Sequence, residues 1–196
     1  VMEDYFGLLD DNEGYEIIRE KSDIGIGRFP VTRPAEAKIM VDKTIAHLRR
    51  DNAGEWCNRI IVMGDDGDNN IHMKDANRVA DRIMDMSPDL ELHKIMWDNY
   101  IRTNQGLYYS YPEIRSMIEE HINEAAMLFN YTGHGATYLM SHERVITLDD
   151  IKSWKSDNLP LWFVAACDIT PFDSQEDNLG EAAVLNKNGV AVAFIG

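Results

Sequence analysis

The chain has 196 residues and a formal net charge of −15, from 19 Lys and Arg against 34 Asp and Glu, with no basic run. That balance leaves little to neutralise phosphates and argues against nucleic acid and anionic membrane surfaces as partners. With 44% hydrophobic residues there is enough apolar surface for one sizeable core or two small lobes, and no stretch approaches the roughly 20 continuous apolar residues of a spanning helix.

The opening, VMEDYFGLLDDNEG, is acidic and irregular, without the basic or apolar region of a signal peptide. A start on Val1 and a stop within VAVAFIG, which reads as a strand, are what an excerpt of a longer polypeptide would show, leaving room for a targeting segment elsewhere. DIGIGRFP (23–30) reads as a short strand, with Pro30 and TRP marking the turn out of it. From Pro34, AEAKIMVDKTIAHLRR places Ala37, Met40, Val41, Thr44, Ile45 and Leu48 at helical spacing, and DNAG ends the helix. A boundary is expected at RDNAGEW, which makes residues 1–50 the end of a preceding lobe and 51–196 the main α/β domain.

From there apolar runs and helical patterns alternate. RIIVMG (59–64), LELHKIMW (90–97), AMLFNYTG (126–133), LPLWFVAAC (159–167) and VAVAFIG (190–196) read as buried strands. Between them MKDANRVADRIMDM, YPEIRSMIEEHINE, TLDDIKSWK and NLGEAAVLNKNG read as helices, with Pro112 suited to a first turn and Gly189 to a last. Five strands alternating with four helices predict a doubly wound, mostly parallel α/β sheet, with no repeat or low-complexity segment.

Functional groups of such sheets gather at the carboxyl ends of the strands. Three polar clusters fall there: GDDGDNN after Met63, TGHGATYLMSHER after Tyr131, and CDITPFDSQEDN after Ala166. They bring His134 and Cys167, 33 residues apart in sequence, to one sheet edge. A thiolate can attack a carbonyl, and a nearby imidazole can take the thiol proton and return it to the leaving amine. Glycines flanking His134 would clear space for a substrate backbone and free the Gly135 N–H for an oxyanion. The plainer alternative makes Gly133 and Gly135 turn residues, His134 a solvated loop residue and Cys167 a small buried hydrophobe. Cys57, in GEWCNR, reads as a filler, and two cysteines alone build neither a disulfide framework nor a four-ligand zinc site.

LFNYTGHG, followed by a helix and LPLWFVAAC, resembles the core of the gingipain-like cysteine peptidases, whose caspase-like sheet carries histidine and cysteine on neighbouring strand ends. DIGIGRFPV, AEAKIMVDKTIAHL and IIVMGDDGDNNIHMKDANRVA are similar, more specifically, to the PorU-type sortases of the bacterial type IX secretion system, so the resemblance runs over essentially the whole chain. It implies a catalytic caspase-like domain with Cys167 as nucleophile, His134 as general base and acid, and oxyanion N–H groups from Gly135 and Cys167. It also implies an acid that orients the histidine, matched by Asp65, or by Asp66 in the adjoining register. The rival role for GDDGDNN is a calcium site built from Asp66, Asp68 and Asn70, since gingipain-like domains are calcium-stabilised; a solvated turn is the plainer reading. LLDDNEG (8–14) is a second acidic turn of the same kind. No cofactor is expected for the chemistry itself.

One departure bears on specificity: near Asn70 the arginine-specific gingipains carry an aspartate that pairs with the substrate's arginine, and no acid stands here. The expected partners are cargo proteins with carboxy-terminal sorting domains, other secretion components and a surface lipopolysaccharide acceptor, at the outer face of a bacterial surface. The alternative is a non-catalytic gingipain-like module that docks cargo or secretion partners. His142 reads as a loop residue able to line the cleft, while His72, His93 and His121 show no metal-ligand spacing. The ten methionines read as packing.

Overall fold

The computed structural model describes residues 3–17, 19–174 and 176–196. Gln175 of the CDITPFDSQEDN cluster and the first two residues of the opening lie outside them. The chain divides into two units, Val1–Thr32 and Arg33–Gly196. In the first, a 3-10 turn spans Glu3–Gly7, the Asp23 amide donates to the Gly7 carbonyl at 2.8 Å, and the Asp23 carboxylate accepts from the Leu9 amide at 2.7 Å. DIGIGRFP forms no strand: among the described residues it is irregular, with Ile24, Ile26 and Phe29 exposed. Its apolar residues alternate as in a strand, but no neighbouring strand pairs with it.

The elements of the second unit follow in chain order. Helix α1 (Pro34–Arg49) leads to β1 (Arg59–Gly64), α2 (Gly67–Met86) and β2 (Glu91–Met96). A two-stranded hairpin, β3 (Thr103–Asn104) with β4 (Tyr109–Ser110), precedes α3 (Pro112–Glu124) and β5 (Leu128–Thr132). A meander of β6 (Gly135–Ala136), β7 (Leu139–Met140) and β8 (Ile146–Thr147) leads into α4 (Leu148–Ser153), β9 (Leu161–Ala165), α5 (Leu179–Leu185) and β10 (Ala193–Ile195). The main sheet has the order β10-β9-β5-β1-β2, and all its pairings are parallel. The expected five strands and four helices are all present; the hairpin and meander are additions, too short to leave a periodic signal.

The core lies on both faces of this sheet. In β1, Ile60 through Met63 are all buried, as a strand covered on both sides requires. On one face Ile60 and Val62 pack with Met73, Ala76 and Ala80 of α2. Gly64 makes that approach possible, because a Cβ there would sit 2.9 Å from Met73 Cα. Phe129 of β5 stacks on Trp162 of β9 with ring centroids 4.6 Å apart, and the indole N–H donates to the Val190 carbonyl at 3.1 Å.

The boundary falls at 32/33 rather than near 50, because α1 belongs to the sheet unit. Its Lys43 Nζ reaches the carbonyl oxygens of Ala183, Val184, Gly189 and Ala191 at 3.2, 2.8, 2.9 and 3.0 Å. The ammonium thereby satisfies carbonyls at and beyond the end of α5, groups that have no partner within the helix. Burial pushes the Lys43 pKa down to about 7. The buried face of α1 is therefore Glu36, Met40 and Lys43, while Val41, Ile45 and Leu48, expected inside, are exposed.

Arg115 of α3 fixes the start of α4, its guanidinium donating to both oxygens of Asp150 at 3.0 and 2.7 Å. Asp150 also accepts from the Thr147 amide and hydroxyl, closing a capping box. Burial would raise the Asp150 pKa, but the hydrogen bonds from Arg115 and Thr147 outweigh it and hold the carboxyl below its usual range. A carboxyl whose folded pKa lies below the unfolded value of about 3.9 stabilises fully above that value and loses its contribution as pH falls through the folded pKa. Asp150→Asn should therefore cost stability at pH 7 and progressively less below about pH 4, which urea unfolding of both proteins across this range would read out. A gap that stays constant across the range would show that the charge contributes nothing.

Candidate active site

In the order β10-β9-β5-β1-β2 the chain leaves β1 for β2 on one side and returns to β5 on the other. The crevice of such a sheet opens between β1 and β5 at their carboxyl ends. Asp65 follows β1 there, His134 stands two residues beyond the end of β5, and Cys167 two beyond the end of the neighbouring β9. The ladder runs past the strands, since the Asp65 amide donates to Thr132 at 3.3 Å and the Gly133 amide to Ala165 at 3.2 Å. One-residue register thus decides which acid is placed inward.

Asp65 is 1% exposed and is surrounded by donors. Its Oδ2 accepts from the His134 amide at 2.7 Å and lies 3.1 Å from both His134 Nδ1 and the Tyr131 hydroxyl. Its Oδ1 lies 2.6 Å from His72 Nδ1 and 3.2 Å from the Gly67 amide. Burial by itself would raise the Asp65 pKa, but the His134 amide, followed by the two imidazoles, holds it below the usual carboxylate range. An ionised carboxylate only accepts, so both imidazoles present Nδ1–H to it, and each ring when uncharged carries its lone pair on Nε2. Tyr131 lies between two acceptors, Asp65 and the His134 carbonyl at 2.8 Å, and burial, then the Asp65 charge, raises its pKa well above normal. It stays protonated and ties the histidine's backbone to the acid.

Of the two acids open in the sequence, Asp65 meets His134, while Asp66 accepts from the Tyr111 hydroxyl at 2.7 Å. Asp68 places Oδ2 3.3 Å from His134 Nε2 and 3.9 Å from His72 Nε2. The carboxylates grouped with Asn70 as oxygen ligands therefore go to separate partners. Asn70 ends a left-handed turn of Asp68, Asn69 and Asn70 (φ 51°, 56° and 64°), so regular α2 geometry begins only after it. Asp and Asn are the side chains that tolerate such φ values best.

The glycines serve closer packing than a substrate channel. A Cβ on Gly133 would lie 2.3 Å from the Tyr131 hydroxyl and 2.7 Å from Asp65 Cγ, and one on Gly135 2.8 Å from Ala166 Cβ and from Ile169. The space beside both is filled by the protein itself, and Gly135 packs against the residue that precedes Cys167. Gly67 is a third such residue, since its Cβ would lie 2.4 Å from His134 Cε1. Cys167 is free and exposed, and the backbone turns sharply after it through left-handed Asp168 (φ 49°). It is thus not the buried hydrophobe of the plainer reading. Cys57 lies before β1, at the opposite edge of the sheet.

Two histidines join the site without a sequence signal strong enough to place them. His72 meets His134 edge to face with centroids 4.7 Å apart, and His142 stacks on it at 4.4 Å. The spacing of Asp68 to His72, one helical turn, was the available clue, hidden because the turn between them is left-handed. His93 and His121 pair with each other elsewhere, with centroids 4.9 Å apart.

A carboxylate-anchored imidazole and an exposed thiol on neighbouring strand ends define the cysteine-peptidase class. The family model described as Peptidase family C25 matches residues 1–196, and the chain belongs to that family. Solved structures share its fold. The Arg-specific cysteine proteinase gingipain R (RgpB) superposes with a TM-score of 0.65 at 20% identity, over 86% of this chain and 38% of that one. The complex of Porphyromonas gingivalis RgpB pro- and mature domains gives 0.64 at 21%, over 89% and 41%. A structure described only as a protease gives 0.62 at 16%, over 84% and 34%. The chain therefore spans about two fifths or less of these proteins. No curated protein matches it significantly by sequence. Among the described residues no helix is long and apolar enough to cross a membrane.

Proposed function

We propose that this chain is the catalytic part of a cysteine endopeptidase of the type IX secretion system. It would act as a sortase that cuts cargo proteins before their carboxy-terminal sorting domain, at the outer face of the bacterial surface. The observation that carries the enzymatic reading is the double hold of Asp65 on His134, through the main-chain amide at 2.7 Å and Nδ1 at 3.1 Å, beside the loop that bears an exposed Cys167. In this reading His134 Nε2 takes the Cys167 proton, Sγ attacks the scissile carbonyl carbon, and the imidazolium returns the proton to the leaving amine. Amides of Gly135 and Cys167 stabilise the oxyanion. The thioester is then resolved by water, or by an amine of a surface glycolipid, with His134 taking that nucleophile's proton and the thiol restored. The PorU-like segments and the absence of an acid at Asn70 support a processing enzyme over a broad arginine-specific protease.

The test is covalent labelling of the full-length protein with a peptidyl acyloxymethyl ketone, located by mass spectrometry, together with analysis of cargo ends. The adduct is expected on Cys167 and not on Cys57. Cargo incubated with enzyme and a soluble amine should lose its sorting domain and carry either a new carboxylate or the amine. No adduct and intact cargo would overturn the reading and leave a gingipain-like docking module.

A further inference from the structure

With both Nδ1–H groups committed to Asp65, the Nε2 atoms of His72 and His134 converge on one carboxylate oxygen, Asp68 Oδ2, at 3.9 and 3.3 Å. Nε2 is the ring atom left to carry a lone pair when each imidazole is uncharged, so a cation placed there meets two nitrogen donors and one oxygen. We propose that His72 Nε2, His134 Nε2 and the Asp68 carboxylate form an inhibitory site for a divalent transition metal, zinc above all, with Asp65 as the shared outer carboxylate.

Two features favour this over a calcium site. Two imidazoles and one carboxylate are the donor set of zinc, whereas calcium takes oxygens. Zinc at about 2.1 Å from each ligand sets tetrahedral ligand separations of about 3.4 Å, and Asp68 Oδ2 lies 3.3 Å from one Nε2 and 3.9 Å from the other. Imidazoles bound to metal characteristically give their second N–H to a carboxylate that fixes the ring. Here Asp65 does so for both rings at once and is itself 1% exposed.

The inference of inhibition rests on the peptidase reading. Nε2 of His134 is the atom that must accept the thiol proton, and a lone pair given to zinc cannot do so. The left-handed turn at 68–70 acquires a purpose in this arrangement, since it is the segment that carries the Asp68 carboxylate back over the imidazoles.

The test uses full-length protein with Cys167 alkylated, so that the thiol cannot serve as a ligand and binding is read independently of activity. Titration calorimetry with zinc chloride should show one site that Asp68→Asn and His72→Gln each weaken at least about tenfold. Asp68 is mostly exposed, so its variant should fold even where His72→Gln does not, and near-ultraviolet circular dichroism confirms this. In unmodified enzyme, zinc should inhibit peptide cleavage reversibly on addition of a chelator, with the inhibitory concentration raised at least about tenfold in Asp68→Asn. Zinc affinity unchanged in the folded Asp68→Asn protein would overturn the site. Zinc binding lost in that variant but without effect on a working wild-type peptidase would overturn the inhibition. Loss of all peptidase activity alongside intact zinc binding would instead strike at the functional reading and leave the metal site standing.

Discussion

Cys167→Ala should lower kcat/KM of the full-length enzyme on a sorting-domain peptide by roughly 10⁴-fold or more, with the fold unaltered. The magnitude follows from what a nucleophile does: without it the route through a thioester is closed, and oxyanion donors and substrate binding retain only a residual catalysis. The fold is expected to survive because Cys167 is exposed and the change removes a single sulfur atom. Cys57→Ala is the control, since Cys57 lies before β1 at the far edge of the sheet, and its activity should stay within about twofold of the parent. Should Cys167→Ala retain more than about a tenth of the activity after purification from contaminating peptidases, Cys167 is not the nucleophile.

The framework of this site could be read from the sequence because parallel strands leave a strong mark. RIIVMG and LWFVA are apolar on both faces of the sheet and LFNYT on one, and alternating helices fix a doubly wound order. That order puts Asp65, His134 and Cys167 at one edge whatever the side-chain details. What stayed hidden depended on geometry with no period. Asp65 and Asp66 differ by one residue, and only the hydrogen bond from the Asp65 amide to Thr132 decides that the first turns inward. His72 shares the acid with His134 because a left-handed turn at 68–70 intervenes, and a helical wheel drawn through that turn points it elsewhere. Tyr131 reads as one more core aromatic, and nothing local announces that its hydroxyl reaches Asp65. Lys43 is the converse case: a lysine's charge favours solvent, but four carbonyl oxygens at and beyond the end of α5 receive its ammonium inside. Amphipathic spacing ranks residues by polarity, so it chose Val41, Ile45 and Leu48 for a face that the structure leaves open.

Asp65→Asn should reduce kcat by about 10³- to 10⁴-fold while changing KM little, and should also lower stability measurably. The aspartate has donors on both oxygens: His72 Nδ1 and the Gly67 amide at Oδ1, and His134 N, His134 Nδ1 and Tyr131 OH at Oδ2. Asparagine keeps one acceptor and turns the other into an NH₂ group, so whichever way the amide is set, one side confronts donors with donors. The main-chain amides of His134 and Gly67 both need an acceptor, so neither setting of the amide satisfies the site. With the NH₂ group toward His134, Nδ1 must accept and the ring's proton moves to Nε2, a tautomer in which the imidazole cannot take the thiol proton. With the oxygen toward His134 the tautomer is kept, but the NH₂ group confronts His72 and the Gly67 amide. In either setting the stabilisation of the imidazolium formed during the reaction is lost. The readout that separates this from simple unfolding is the alkylation rate of Cys167 by iodoacetamide against pH, on protein whose circular dichroism matches the parent. A smaller thiolate fraction near pH 7 is expected in Asp65→Asn, because the imidazolium that favours the thiolate is less stable without the carboxylate. Asp65→Ala should lose as much activity and more structure, since it removes the acceptor of four donors in a buried site and leaves Tyr131 only the His134 carbonyl. A folded Asp65→Asn enzyme that keeps kcat within about threefold and an unchanged alkylation profile would mean that the carboxylate is a structural anchor for the β1 and β5 loops and takes no part in orienting the base.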